Sequence, residues 1–301
     1  MLMTALLLSA TCAAEPPSID SVVTANSTFA IDFFKRLPKP EANVIMSPFG
    51  ISECFAMVYA GARGDTAQSM ANVFRFSGTS NETLTSFGIL HDAATTETLS
   101  IADSVWTTAA MPVRVSYTES IEDRLGGQSF EVDFADVAKV TKQMDAWVQH
   151  ETRGLIPKAP GIVAPSDVLS LMNVVSFKAD WASAFTKKAT IQQPFSLLDG
   201  TKADVEMMHQ TGQFKYANLE LLEVLELPYT TGRISMVLLL PQKGVSLEAL
   251  EKTLSVERIK EWIAALSMKE TAVAMPKFTV MSELDLMPIL HGMCMKGSDF
   301  S

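Results

Sequence analysis

The chain has 301 residues, 24 Lys+Arg against 34 Asp+Glu for a formal net charge of −10, and 48% hydrophobic against 19% charged residues. That balance supports a sizeable core and excludes a largely disordered chain, which is apolar-poor and charge-rich. The acid excess speaks against nucleic acid as a partner, since phosphate binding needs a basic face, and no apolar run approaches the ~20 residues that cross a bilayer.

Met1 to Ala14 is a short apolar stretch ending in small residues, followed by Glu15-Pro16-Pro17. It reads as a secretory signal peptide, although no Lys or Arg precedes the apolar stretch, and a buried N-terminal helix is the other reading. Residues 15–301 are then expected to form one domain. Cleavage after Ala14 removes Cys12 and leaves Cys54 and Cys294, too few for a disulfide framework. The sequons Asn26-Ser27-Thr28 and Asn81-Glu82-Thr83 make Asn26 and Asn81 candidates for glycosylation in a secreted product.

From Val22 the apolar residues Val22, Val23, Phe29, Ala30, Phe33, Phe34 and Leu37 recur at helical steps, and Pro38-Lys39-Pro40 stops the pattern. Ser47-Pro48 opens a second helix, with Ser as cap and Pro in the first turn. Ile51, Cys54, Phe55, Val58 and Tyr59 form its buried stripe and Gly61 closes it. Asp65 is expected to cap a third helix, with Gln68 in the capping-box position. Val168 to Phe177 is nearly continuously apolar, broken by Ser170, Asn173 and Ser176, and predicts a strand covered on both faces. Val224–Tyr229 and Ile234–Leu240 predict a hairpin across Thr230-Thr231-Gly232-Arg233. Ser246–Leu254 and Val256–Leu266 return to helical spacing, with Ile259, Trp262, Ile263 and Leu266 on one face. Ala272–Val280 is a strand candidate interrupted by Pro276. Helices early and strands late, without regular alternation, predict an α+β fold.

None of His91, His150, His209 and His291 is spaced from a second His or a Cys pair as metal ligands are, so no metal site or cofactor is expected. Nucleophile elbows and phosphate-cradling Gly-rich loops are lacking, and an enzyme is not expected. Arg63-Gly64-Asp65 reads as a turn and helix start. Trp147 and Trp181 read as core anchors.

One resemblance carries more. Asn43-Val44-Ile45-Met46-Ser47-Pro48-Phe49-Gly50-Ile51, running to Gly61-Ala62-Arg63-Gly64-Asp65-Thr66, resembles the second-helix signature of the serpin family. In the family's order follow Thr152-Arg153-Gly154-Leu155-Ile156, Leu171-Met172-Asn173, Phe177-Lys178-Ala179-Asp180-Trp181, Phe195–Gly200, Val205–Met208, Leu227-Pro228-Tyr229, Leu240-Pro241, Met275-Pro276-Lys277-Phe278 and Asp285-Leu286. The likeness covers about Val22 to Ser301. It implies helices packed around a large central mixed sheet, and an inhibitor of serine or cysteine proteases. In that family a cleaved reactive-centre loop inserts into the sheet as a new strand. Ser47 and Asn173 match polar positions where the sheet parts, and Trp181 matches the point where insertion begins. Each also has a structural reading: helix cap, satisfied buried amide and core filler.

Three departures stand out. Gly50 replaces the family's usual second Ser, and Ala179 its usual Gly. Gly297-Ser298-Asp299-Phe300-Ser301 resembles a point well before the family's C-terminus, so the hinge, the reactive loop, the cluster's partner His and the final strands are expected to be missing. The chain alone is therefore expected to be non-inhibitory and to self-associate through exposed sheet edges, including those of 224–229 and 234–240. Alternatives are a non-inhibitory secreted binding or carrier protein, or a decayed copy without function.

Overall fold

A computed structural model describes residues 18–38, 43–161 and 163–295. The expected leader, Lys39 and Pro40 of the Pro38-Lys39-Pro40 stop, and Gly297–Ser301 lie outside the described residues. In chain order the elements are α1 (Ile19–Phe34), α2 (Pro48–Gly61), α3 (Gly64–Phe74), α4 (Ser80–Ala94), β1 (Leu99–Thr108), α5 (Val115–Leu125), β2 (Gln128–Val132), α6 (Val137–Glu151), β3 (Leu169–Phe177), β4 (Thr190–Ser196), β5 (Lys202–Asn218), β6 (Leu222–Pro228), β7 (Ser235–Pro241), α7 (Leu247–Thr253), α8 (Val256–Ala264), β8 (Ser267–Pro276) and α9 (Leu286–Gly292).

The fold is α+β, with two sheets among the described residues. In the first, order β2-β1-β3, β1 pairs parallel with β2 and antiparallel with β3, so this sheet is mixed. The second runs β4-β5-β6-β7, and β8 also pairs with β5; its pairings are antiparallel. Trp181 bridges to Tyr229 just beyond β3 and so ties one sheet to the other.

Two helix starts show how local chemistry sets these elements. Ser47 stays extended at φ −111°, and its side chain accepts the Gly50 N–H while Pro48 occupies the first turn. Thr79 and Glu82 cap α4 reciprocally. The α3 start differs from expectation: Arg63 occupies the cap position without a side-chain capping bond, and Asp65 lies in the first turn, favourable to the helix dipole but not a cap.

The helical core joins Phe29 and Phe33 of α1 to Tyr59 of α2, Phe74 of α3 and Leu290 of α9. β3 is covered on both faces, as expected. Met172 and Val174 pack with Trp147 and Val148 of α6, while Leu171 meets the cluster built around α2 and α4. α4 and α5 approach closely at Gly88, where an added Cβ would lie 1.8 Å from the Arg124 carbonyl oxygen. The hairpin β6–β7 forms as predicted, but β6 is not exposed. Leu222 and Val224 pack against Leu250 and Trp262, so the exposed apolar positions of the hairpin, Val237 and Leu240, belong to the edge strand β7. Ile263, expected on the buried face of α8, is 46% exposed.

Candidate functional site

Ser47, Gly50 and Glu53 follow one another at three-residue steps and so share a face of α2. That face looks onto β3, whose Asn173 stands directly across the ladder from Asp103 of β1. The Asn173 amide nitrogen donates to Glu53 Oε2 and to Asp103 Oδ1, each at 2.9 Å. α4 brings His91 to the same point, its Nδ1 3.0 Å from Glu53 Oε1 and 3.6 Å from Asp103 Oδ2. Glu53 and Asp103 side chains are fully buried and His91 is 13% exposed. Asp103 Oδ2 is buried without a hydrogen-bond partner.

This environment moves all three titrations the same way. Burial raises the Glu53 carboxyl above its ordinary range, outweighing the lowering by His91 and Asn173. Burial, reinforced by the nearby Glu53 charge, holds the Asp103 carboxyl well above its usual range. Burial opposes charge on His91, but its bond to Glu53 and the charges of Glu53, Asp103 and Asp92 prevail and raise its pKa. All three groups therefore hold their protons to a higher pH than they would in water.

Gly50 is the gap that admits Asn173. A Cβ there would lie 2.3 Å from Asn173 Oδ1, 3.1 Å from Val175 Cγ2 and 3.2 Å from Ser47 Oγ. In this chain Asn173 Oδ1 thus occupies the space that a side chain at position 50 would take. Ser47 and Asn173, predicted to share a site, both line one cavity of ≈ 490 Å³ between the start of α2, the outer edge of β3 and residues 282–286. Ser47 serves as the α2 cap, at 3.1 Å from the Gly50 nitrogen, while Asn173 binds carboxyl groups. Along that cavity β3 has a free edge: among the described residues its nine residues pair only with β1.

Trp181 lies away from this cluster, past the far end of β3. Its ring stacks on Tyr229 at 4.5 Å and 15° and meets Phe185 edge-on. Tyr229 in turn takes Phe177, the last residue of β3, edge-on at 4.8 Å. Of the two sequons, Asn81 is exposed at the start of α4, whereas the Asn26 amide nitrogen, where a glycan would attach, donates to the buried Ser52 hydroxyl at 2.7 Å.

The model of the Serpin (serine protease inhibitor) family matches residues 24–298. The chain belongs to the serpin family. An uncharacterized serpin-like protein of Thermococcus kodakarensis is 32% identical over 281 residues, 91% of this chain and 66% of that one. Human leukocyte elastase inhibitor is 32% identical over 277 residues, 86% of this chain and 73% of its own. The solved structure of emu ovalbumin superposes with a TM-score of 0.84 at 28% identity, covering 93% of this chain and 78% of that chain. The chain thus spans from about two thirds to three quarters of the length of these serpins.

Serpin resemblance points to Ser47, Asn173 and Trp181 but not to Glu53, His91 or Asp103, and the histidine spacing predicts no metal site. These three come from α2, α4 and β1, so no local spacing could reveal them. A weak signal existed nonetheless: Glu53 is the one charged residue of α2, and Asp103 the one charged residue of β1. A lone acid in a buried segment needs a partner.

Among the described residues, no helix is long and apolar enough to cross a membrane.

Proposed function

We propose that this serpin chain is the strand-accepting scaffold of a protease inhibitor, directed at serine or cysteine proteases, in which a cleaved reactive loop inserts beside β3. The supporting observation is the free outer edge of β3, which runs past the Ser47–Asn173 cavity. A nine-residue strand turns roughly four or five residues outward, each with one N–H and one C=O to offer. At about 1 kcal/mol net per bond, filling that edge is worth on the order of 8 kcal/mol, enough to drive a sheet expansion. Human and bovine leukocyte elastase inhibitors among its relatives favour the inhibitory reading.

In the family's order of motifs, the hinge and bait loop follow the stretch that Gly297–Ser301 resembles, so trapping is assigned to a chain that carries them. The second reading is a non-inhibitory binding or carrier role, favoured by Gly50, which removes a hydroxyl from the polar cluster. We read Met1–Ala14 as a leader and the protein as secreted, with Asn81 the more accessible glycan acceptor.

Sequencing the transcript past Ser301 and assaying its whole reading frame with elastase-, chymotrypsin- and papain-type proteases tests the proposal. An in-frame hinge and loop with SDS-stable complexes supports it. A stop codon at Ser301, or cleavage without a stable complex, favours the non-inhibitory reading.

A further inference from the structure

We propose that Glu53, His91 and Asp103 form a binding site for one divalent transition-metal ion, Zn²⁺ in the first instance, at the junction of α2, α4 and β1. Glu53, His91 and Asp103 each offer one ligand atom, and these atoms lie within 4.8 Å of one another. A tetrahedral Zn²⁺ with bonds of about 2.0–2.1 Å spaces its ligand atoms about 3.3 Å apart. The observed 3.0 Å and 3.6 Å bracket that spacing.

The donor set is one imidazole and two carboxylates, which suits Zn²⁺, Mn²⁺ or Fe²⁺ rather than thiolate-seeking ions. The orientation of the carboxylates is the more telling feature. Asn173 holds the outer oxygens, Glu53 Oε2 and Asp103 Oδ1, and so turns the inner oxygens toward His91. Outer-sphere groups orient metal ligands in this way. Asp103 Oδ2, one of those inner oxygens, is buried and without any hydrogen-bond partner. Such an orphaned acceptor is costly, and a cation would satisfy it. Two carboxylates and one neutral imidazole around a divalent ion sum to zero charge in a buried place. Metal ligation needs the carboxylates and the imidazole unprotonated, so protons compete with the ion. Because Asn173 belongs to β3, the ion would also brace the strand beside the cavity.

The test uses the 301-residue protein stripped with chelator, titrated with Zn²⁺ calorimetrically and with Co²⁺ by visible absorption. The expected result is one ion per chain, a four- or five-coordinate Co²⁺ spectrum with oxygen and nitrogen donors, and weaker binding at acid pH. Asp103→Asn and His91→Ala should weaken binding at least as strongly as Asn173→Ala, for which about 10–100-fold is expected. His150→Ala, at an exposed histidine beside Glu151, should leave it unchanged. Absence of saturable binding by the unmodified protein overturns the proposal, whatever the variants do. So does binding unaffected by Asp103→Asn and His91→Ala in folded variants, which would mean an adventitious surface ion only. Where a variant does not fold, the Co²⁺ spectrum of the unmodified protein decides: octahedral all-oxygen coordination is the contradicting result.

Discussion

Gly50→Ala gives the sharpest test of how α2 and β3 fit together. In the helix alone this change should stabilise by about 1 kcal/mol, because alanine loses less backbone freedom than glycine. Here the new Cβ would stand 2.3 Å from Asn173 Oδ1, so the amide must move. It cannot rotate freely, because its nitrogen is bound to both Glu53 and Asp103 at 2.9 Å. Bonds to carboxyl groups held in this way contribute up to about 1.5–3 kcal/mol each; losing both against the helical gain leaves a net destabilisation of about 2–5 kcal/mol. Urea unfolding of the four corners of a double-mutant cycle with Asn173→Ala measures it. Gly50→Ala should destabilise in the native background and stabilise slightly once Asn173 is gone. Equal effects in both backgrounds would refute the steric argument. Gly50→Ser, which restores the family's hydroxyl, should behave like the alanine variant.

Three further outcomes are expected. Gly88→Ala should destabilise by 3 kcal/mol or more, roughly the scale of forced overpacking, because its Cβ would strike the Arg124 backbone carbonyl, which has no rotamer to escape into; thermal melts reading an unchanged stability would contradict this. Burial, with the charges of Asp103 and Glu53, pushes the Cys54 thiol up to about 12, although the residue is only half-buried at the cavity wall. At pH 8 its thiolate population is then roughly a thousandfold below that of an ordinary thiol, so peptide mapping after brief iodoacetamide treatment should find exposed Cys294 labelled and Cys54 spared. The free edges of β3 and β7 should make the 301-residue chain associate as concentration rises; a dilution-independent monomer on size-exclusion chromatography would count against that.

Segments whose local signals agreed were legible. Ser47-Pro48 marked the α2 start, and the apolar run before Phe177 marked β3. The four residues between Tyr229 and Ile234 marked the hairpin. β1 was not legible, because Asp103, Ser104, Thr107 and Thr108 are buried among its apolar residues and neither strand nor helix period emerges. The third helix began a residue earlier than its presumed Asp65 cap because Gly64 takes a positive φ of 60° and starts the turn itself. Asn173 stood out as a polar break in an apolar run, yet its partners were not. Family likeness pointed to Ser47 and to a His beyond the chain, whereas the structure supplies Glu53, Asp103 and, from α4, His91. Long-range pairing of this kind leaves no trace in local spacing.

Loop insertion requires that β3 take a new strand on its outer edge. Hydrogen exchange over Leu169–Phe177, read with and without a synthetic peptide of alternating small and β-branched residues, addresses it directly. Alternate amides of β3 should exchange fast in the free chain and become protected, one peptide per chain, while β1 stays slow throughout. Uniform protection before any peptide is added, or no change after it, would contradict the claim.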